Sequence, residues 1–186
     1  MEFGTRLSLW GSNMTRVFRG CPDTAAPEGW IFEPRPTAFL DRDGVLNKDH
    51  GYVCRRADFE WIDGAVRAVS ALKSLGYRVV VATNQSGIGR GLYSEDQFLD
   101  LCDMMLAETE IDCFCYCPDA PEANCPARKP GMAMFEKVSQ FLGVEPQLSF
   151  FIGDKPSDMA AAEKFGIQGH LFSGGDLDQF LSEKVL

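Results

Sequence analysis

The sequence contains no long hydrophobic run and no excess of basic residues. No stretch approaches the roughly 18 consecutive apolar residues that would span a membrane, so no membrane partner is expected. The 186 residues carry a formal net charge of -9, and this argues against non-specific binding to nucleic acid, which depends on basic surface. A small phosphorylated ligand is still compatible with this charge, because a metal ion and a few local cations can outweigh it.

Nucleotide-binding loops and a disulfide framework are also missing. No glycine-rich loop ends in Lys-Ser or Lys-Thr, which excludes a P-loop site. Gly87, Gly89 and Gly91 have the wrong spacing for a dinucleotide-binding loop and follow the second predicted strand. The seven cysteines are an odd number and no secretory signal is visible, so disulfide bonds are not expected. We therefore expect a reducing, cytoplasmic environment.

The first 35 residues differ from the rest of the chain. They mix Gly, Ser, Pro, Arg and isolated aromatic residues without a sustained hydrophobic period. Met14 is a second candidate start, which would make residues 1–13 an addition or an upstream extension. We assign residues 1–35 to an N-terminal extension, in part added or loosely packed, and residues 36–186 to the main domain. Trp30, Ile31 and Phe32 are candidates for an edge strand or a clasp on that domain.

From Pro36 onward, predicted strands alternate with predicted helices. Short buried runs predict strands at residues 37–40, 78–82, 111–117, 149–152 and 169–172. Apolar residues at spacings of three and four predict helices over residues 64–75, 132–142 and 157–165, with others after Ser94 and from Asp176. Ser94 and Gln97 form a candidate capping box. This alternation predicts an α/β fold, a three-layer Rossmann-like parallel sheet, and we expect a monomer.

Two carboxylates follow the first predicted strand. Asp41 and Asp43 stand one residue apart, and Gly44 comes directly after them. Carboxylates in this position can hold a hard divalent cation such as Mg²⁺, and one of them can attack a phosphoryl group. Glycine permits a sharp turn and leaves room for a ligand. A solvated acidic turn is the alternative that this stretch alone leaves open.

Other polar residues are expected at the same edge of the sheet, because ligands of parallel α/β sheets bind beyond the carboxyl ends of the strands. They are Thr83, Asn84, Arg128, Lys129, Asp154 and Lys155. A cation held by Asp41, Asp43 and Asp154 would neutralise phosphate oxygens. Lys129 and Thr83 would bind the same phosphate group. Phosphoryl transfer depends mainly on such positioning and charge neutralisation.

These motifs resemble those of the haloacid dehalogenase-like phosphatases. The matching residues are Asp41-Arg42-Asp43-Gly44-Val45, Thr83, Lys129 and Gly153-Asp154 with Asp158. Within this superfamily, the chain is similar over about residues 36–175 to the branch of D-glycero-D-manno-heptose-1,7-bisphosphate 7-phosphatases and histidinol-phosphatase domains. The similarity to the branch rests on residues 39–47, 49–53, 83–91, 128–130 and 153–155.

The resemblance implies roles for individual residues and a fold without a large cap domain. Asp41 would be the nucleophile that forms an aspartyl-phosphate, and Asp43 would protonate the leaving alcohol and then activate water. Mg²⁺ would bind Asp41, Asp154 and the backbone carbonyl of Asp43. Phosphate and substrate would contact His50, Gly51, Tyr52, Thr83, Asn84, Gln85, Ser86, Arg128, Lys129 and Lys155.

Four residues of these motifs also have a plain structural explanation. Asp158 can support the site from behind its ligands, or it can simply cap or charge the start of its helix. His50 can be an ordinary loop residue. Lys155 can be solvated surface. Thr83 can simply end a β-branched strand.

The chain departs from the branch in the loop after the third predicted strand. Heptose-bisphosphate members usually carry a zinc loop of the form Cys-x-His, Cys-x-Cys and Arg-Lys-Pro. This chain keeps Cys117 and Cys125 but has Asp119 in place of the histidine and Ala127 in place of the last cysteine. A structural zinc site uses four ligands, and two of the four are replaced, so we expect no Zn²⁺. Cys115 and Asp119 can in principle complete a set with Cys117 and Cys125. The expected cofactor is Mg²⁺ at the acidic site.

The main prediction is a Mg²⁺-dependent phosphomonoesterase of carbohydrate metabolism that acts on a small phosphorylated metabolite of the heptose-bisphosphate type. Histidinol phosphate or another phosphomonoester is the alternative substrate. A second alternative is a non-catalytic protein that binds a phosphorylated ligand, which the intact Asp41 and Asp43 disfavour. A third is a metal- or redox-sensing module built on residues 113–125.

Overall fold

The computed structural model describes residues 17–20 and 33–186. Its strands are β1 Val17–Arg19, β2 Thr37–Leu40, β3 Arg78–Asn84, β4 Cys113–Cys117, β5 Phe150–Gly153 and β6 Gln168–Leu171. Its α-helices are α1 Ala65–Ser74, α2 Ser86–Gly89, α3 Glu95–Glu108, α4 Ala133–Leu142, α5 Pro156–Phe165 and α6 Leu177–Lys184. Short 3-10 turns occur at Arg56–Asp58, Pro121–Ala123 and Pro146–Leu148.

All six strands form one parallel sheet in the order β1-β4-β3-β2-β5-β6. Successive side chains of a strand point to opposite faces, so Ala38 and Leu40 enter one core cluster and Phe39 the other. Helices α1, α3 and α6 contribute to the first cluster, and α4 and α5 to the second. The sheet is therefore buried on both faces, which explains the continuous apolar run of β3. The predicted three-layer α/β fold is confirmed.

Several boundaries differ from those predicted. β3 continues to Asn84 because Thr83 and Asn84 still pair with Tyr116 and Cys117. The next strand begins at Cys113, two residues later than predicted. The single turn of α2, Ser86–Gly89, was not predicted, since four residues are too few to show a helical period.

An edge strand lies inside the segment that was assigned to the extension. Val17–Arg19 pairs with β4, with Val17 opposite Phe114 and Arg19 opposite Tyr116. The Arg19 guanidinium and the Tyr116 hydroxyl both donate hydrogen bonds to the Glu95 carboxylate. The predicted edge strand at residues 30–32 lies outside the described residues, and the division of the chain at residue 35 stays a prediction.

The connections between elements leave no room for a large cap domain in residues 33–186. The longest of them runs from Asp41 to Gly64 and contains only the 3-10 turn Arg56–Asp58. Across the described ranges 17–20 and 33–186, none of the helices has the length and apolar character needed to cross a lipid bilayer.

Ser94 caps α3 as predicted. Gln97 N–H donates to Ser94 Oγ at 3.2 Å, and Ser94 N–H donates to Gln97 Oε1 at 2.8 Å.

We expect Ser94→Ala to lower the free energy of unfolding by about 1 kcal/mol, measured by urea denaturation. Ser182→Ala is the control, because Ser182 bonds to the Asp178 carbonyl within α6 and its removal should change stability by less than about 0.5 kcal/mol. Equal losses in both variants would contradict the capping role.

Candidate active site

The carboxyl ends of three neighbouring strands bring the predicted acidic and hydroxyl residues to one edge of the sheet. Asp41 follows β2, Thr83 lies near the end of β3 and Asp154 follows β5. The Asp41 amide donates to the carbonyl of Ile152 on the adjacent strand at 2.9 Å. The site therefore begins where the sheet ends, as the rule for parallel sheets predicts.

A buried lysine stands between two of the acids. Lys129 Nζ lies 3.0 Å from Asp41 Oδ1 and 2.8 Å from Asp158 Oδ1. It also donates to the Ala82 carbonyl at 2.9 Å. The side chains of Lys129 and Asp158 are each 1% exposed, so this ion pair is removed from solvent. Asp158 was expected either to cap its helix or to support the site, and it does both, because it also accepts from the Lys155 amide at 3.0 Å.

Burial and neighbouring charges set the protonation of this group. Burial raises the pKa of Asp41 to about 6, because the attraction of Lys129 only partly compensates for the lost solvation. Burial acts to lower the pKa of Lys129, but Asp41 and Asp158 outweigh it, and the pKa is raised. Burial likewise raises the pKa of Asp154. Lys129 is therefore charged. The ionised forms of Asp41 and Asp154 would be stabilised by a further cation.

Three carboxylates are close enough to share such a cation. Asp41, Asp154 and Asp158 each offer an oxygen within 4.8 Å of the others, and Asp154 Oδ1 is buried without a hydrogen-bond partner. Gly44, at φ +83°, makes room for this arrangement, since a Cβ there would lie 2.3 Å from Asp154 Oδ2. An oxygen-only donor set fits Mg²⁺. Asp41 and Asp154 were predicted ligands, whereas Asp158 was not. The carboxylate of Asp43, which was also predicted, lies outside this group.

The Asp43 carboxylate is held by three side chains. Arg42 Nη2 donates to its Oδ1 at 2.7 Å and its Oδ2 at 2.9 Å, Asn47 Nδ2 to Oδ1 at 3.1 Å, and Gln85 Nε2 to Oδ2 at 3.0 Å. Burial acts to raise the pKa of Asp43, but Arg42, with help from Asn47 and Gln85, lowers it. In the site without substrate, Asp43 is therefore ionised, and its orientation is fixed.

The sequence pattern predicted no role in the site for Arg42 or Asn47. Arg42 lies between two acids, where a solvated arginine is the usual assumption, yet it is fully buried. Its Nη2 also donates to the Val53 carbonyl at 2.7 Å, and its guanidinium lies 5.6 Å from the centre of the Phe98 ring. The only signal for either residue was its place within residues 39–47, the first of the stretches that resemble the branch.

The sequence predicted that Thr83, Asn84 and Gln85 contact the substrate. The side chains of Asn84 and Gln85 instead form hydrogen bonds within the protein. Asn84 Nδ2 donates to the Lys129 carbonyl at 3.2 Å, and the Lys129 amide donates to Asn84 Oδ1 at 3.0 Å. Gln85 is 2% exposed. Its Nε2 donates to Thr83 Oγ1 at 2.9 Å as well as to Asp43. Asn84 therefore holds the backbone of Lys129, in the loop between β4 and α4, in place.

The other predicted substrate contacts lie further out. Lys155 Nζ is 3.6 Å from Asp154 Oδ2 and 3.4 Å from Asp49 Oδ2. Arg128 Nη1 donates to the Asp119 carbonyl at 3.2 Å. Ser86 begins α2. His50, Gly51 and Tyr52 form an exposed loop, in which His50 Nε2 lies 3.9 Å from Glu60 Oε1.

The loop after β4 brings together three possible metal donors. The donor atoms of Cys117, Asp119 and Cys125 lie within 4.8 Å of one another. Burial raises the pKa of the Cys117 thiol to about 12. Ala127, where the related zinc loop has its last cysteine, is fully buried in the core. These residues do not make the four-ligand set of a structural zinc site, and the expected absence of Zn²⁺ stays a prediction.

Comparisons with known proteins agree with this geometry. The polynucleotide kinase 3 phosphatase family model matches residues 37–170. The D-glycero-beta-D-manno-heptose-1,7-bisphosphate 7-phosphatase of Photorhabdus laumondii is 45% identical over 139 residues, which are 68% of this chain and 74% of that protein. The corresponding protein of Rhodopseudomonas palustris is 40% identical over 164 residues, 82% of this chain and 91% of that one.

A solved structure extends the similarity to three dimensions. The D,D-heptose 1.7-bisphosphate phosphatase from B. bronchiseptica, complexed with magnesium and phosphate, superposes with a TM-score of 0.71 at 29% identity. The match covers 82% of this chain and 88% of that one. The resemblance predicted from the motifs is therefore confirmed: the chain is a phosphatase of the haloacid dehalogenase-like superfamily and belongs to the family of heptose-bisphosphate 7-phosphatases.

Proposed function

We propose that this phosphatase removes the 7-phosphate of D-glycero-β-D-manno-heptose-1,7-bisphosphate, with Mg²⁺ and through an aspartyl-phosphate on Asp41. The observation that carries the proposal is the buried Asp41 carboxylate beside Lys129, with Asp154 close enough to share a cation. The 45% identity with a phosphatase named for this substrate supports the choice of sugar.

The metal would be held by Asp41, Asp154 and the backbone carbonyl of Asp43. When bound, Mg²⁺ would supply Lewis-acid neutralisation of the phosphate oxygens. Lys129 would add a fixed positive charge next to Asp41, because Asp158 and the Ala82 carbonyl restrain its ammonium group. The Thr83 hydroxyl would donate to a phosphate oxygen.

The reaction would proceed in two steps at phosphorus. An oxygen of Asp41 attacks the phosphorus while the bond to the sugar oxygen breaks, and Asp43 gives its proton to that leaving oxygen. Asp43 then takes a proton from water, whose oxygen attacks the phosphorus and releases phosphate and free Asp41. The lowered pKa of Asp43 suits the second step, and the negative charge of an incoming phosphate would favour the protonated form for the first.

The remaining substrate contacts would come from exposed and half-buried residues around the site. Lys155 and Arg128 are cations suited to the second phosphate of a bisphosphate. Tyr52 is half-exposed and adopts φ 55°, a conformation that non-glycine residues rarely take without a reason. His50, Gly51 and Ser86 would complete this outer shell, whereas we assign Asn84 and Gln85 to positioning. A monomer in the cytoplasm, without nucleic-acid or membrane partners, also stays a prediction.

The central residue can be tested by Asp41→Asn. We expect phosphate release from the heptose bisphosphate, measured with Mg²⁺, to fall by about 1,000-fold or more, because the amide is a poor nucleophile with the same shape. Asp100→Asn is the matched control, since Asp100 pairs with Arg56 on the exposed face of α3, and it should leave the rate unchanged.

A substrate panel separates the alternatives. Heptose 1,7-bisphosphate should be turned over faster than heptose 1-phosphate and histidinol phosphate, and EDTA should abolish release from each. Preference for histidinol phosphate would replace the substrate but keep the mechanism. Binding of the bisphosphate without turnover by the wild-type protein would favour the non-catalytic alternative.

Metal binding can be followed without activity through the melting temperature. At about 100 times its Kd, Mg²⁺ should stabilise the folded protein by about 2.7 kcal/mol, and Asp154→Asn should remove most of the resulting rise in Tm. Asp119→Asn, in the cysteine loop, should retain it. If Asp119→Asn removes the rise and Asp154→Asn keeps it, the divalent cation binds at Cys117, Asp119 and Cys125 and the assignment is wrong.

A further inference from the structure

A chain of hydrogen bonds that the proposed mechanism does not use connects Tyr93 to the site. The Tyr93 hydroxyl donates to Gln85 Oε1 at 2.6 Å. At its other end, the Gln85 amide donates from Nε2 to both Asp43 and Thr83. Tyr93 is 7% exposed and Gln85 2%, so water does not readily replace these bonds.

The amide of Gln85 has a donor end and an acceptor end of nearly the same shape. The donor end faces the site, because Gln85 Nε2 lies 3.0 Å from Asp43 Oδ2 and 2.9 Å from Thr83 Oγ1. The acceptor end then needs a donor of its own, because a buried carbonyl oxygen without a partner has lost its hydrogen bonds to water and gained none in return. The Tyr93 hydroxyl supplies that donor. Without this hydroxyl, the Gln85 amide would no longer be held in the orientation that directs its Nε2 to Asp43.

The same amide also orients Thr83. Because Thr83 Oγ1 accepts from Gln85 Nε2, its own hydroxyl hydrogen is left to be donated elsewhere, as a phosphate-binding role requires. One side chain therefore sets the direction of two groups that the proposed mechanism places at the phosphate and the leaving oxygen.

Tyr93 is itself held in place by an unusually close backbone contact. A Cβ at Gly87 would lie 2.0 Å from Cε1 of the Tyr93 ring, so only glycine leaves room for the ring against α2. The Leu92 amide also donates to the Gly87 carbonyl at 2.9 Å, which ties the segment before Tyr93 to the same helix. The hydroxyl is thus presented to Gln85 from a rigid support.

We propose that Tyr93 is a positioning residue for phosphate-ester hydrolysis, which acts through Gln85 to hold the carboxylate of Asp43 and the hydroxyl of Thr83 in their working orientations. This inference rests on the proposed function, in which Asp43 is the acid and base. It assigns Tyr93 no contact with the substrate.

The first test is Tyr93→Phe, which removes the hydroxyl and keeps the ring beside Gly87. We expect kcat for the heptose bisphosphate to fall about tenfold while KM changes by less than about twofold, because orientation in the transition state is lost and binding is not. Tyr77→Phe is the matched control, since Tyr77 packs on Phe150, and its kcat should be unchanged.

A double-mutant cycle distinguishes positioning from a general structural effect. In a Gln85→Met background, Tyr93→Phe should change kcat by less than about twofold, because the amide through which it acts is gone. If Tyr93→Phe lowers kcat by the same factor in both backgrounds, Tyr93 does not act through Gln85 and the inference is overturned.

A readout that does not require turnover uses protein labelled with ¹⁵N at glutamine side chains. The Gln85 amide hydrogens should exchange slowly with water in the wild type and in Tyr77→Phe, and clearly faster in Tyr93→Phe. If the wild type turns over no substrate but this exchange changes as expected, the proposed function fails and the part of Tyr93 in hydrolysis fails with it, whereas the positioning of Gln85 by Tyr93 stands. If Tyr93→Phe leaves the exchange unchanged, the inference fails whatever the activity.

Discussion

The site depends on the two ion pairs that the buried ammonium group of Lys129 forms. This group joins Asp41 after β2 to Asp158 in α5, and it is carried by the loop that follows β4. Removing a lysine and two carboxylates from water is costly, and the cost is offset only where the charges are paired at short distance and hydrogen-bonded. One cation against Asp41, Asp158 and the neighbouring Asp154 leaves an excess of negative charge, which is the condition that a divalent metal satisfies.

A second set of side chains holds these charged groups in place. Asn84 forms two hydrogen bonds with the backbone of Lys129, and the Lys155 amide donates to Asp158. Arg42 and Gln85 hold Asp43 from two directions. A reactive carboxylate works only if its direction is fixed before the substrate arrives, so these supporting residues are as important to the account as the acids they hold.

The placement of Asp41, Lys129 and Asp154 could be predicted because it follows from a general rule. Once alternating strands and helices indicate a parallel sheet, the carboxyl ends of all its strands must lie at the same edge, together with the polar residues that follow them. The inward turn of Gln85 and the burial of Arg42 could not be predicted in this way, since they depend on partners such as Tyr93 and Val53 that only the folded chain brings near. The edge strand Val17–Arg19 was missed for a related reason: three residues carry no period, and its pairing with β4 is a long-range contact.

The central claim, that Asp41 carries the phosphoryl group during turnover, is tested most directly by chemical trapping. Borohydride added during steady-state hydrolysis of the heptose bisphosphate reduces an aspartyl-phosphate to homoserine, which mass spectrometry can locate in the peptide that contains residue 41. The account predicts homoserine at position 41, dependent on both substrate and Mg²⁺. Rapid turnover with no modification at position 41, or with homoserine at Asp43 instead, would contradict it.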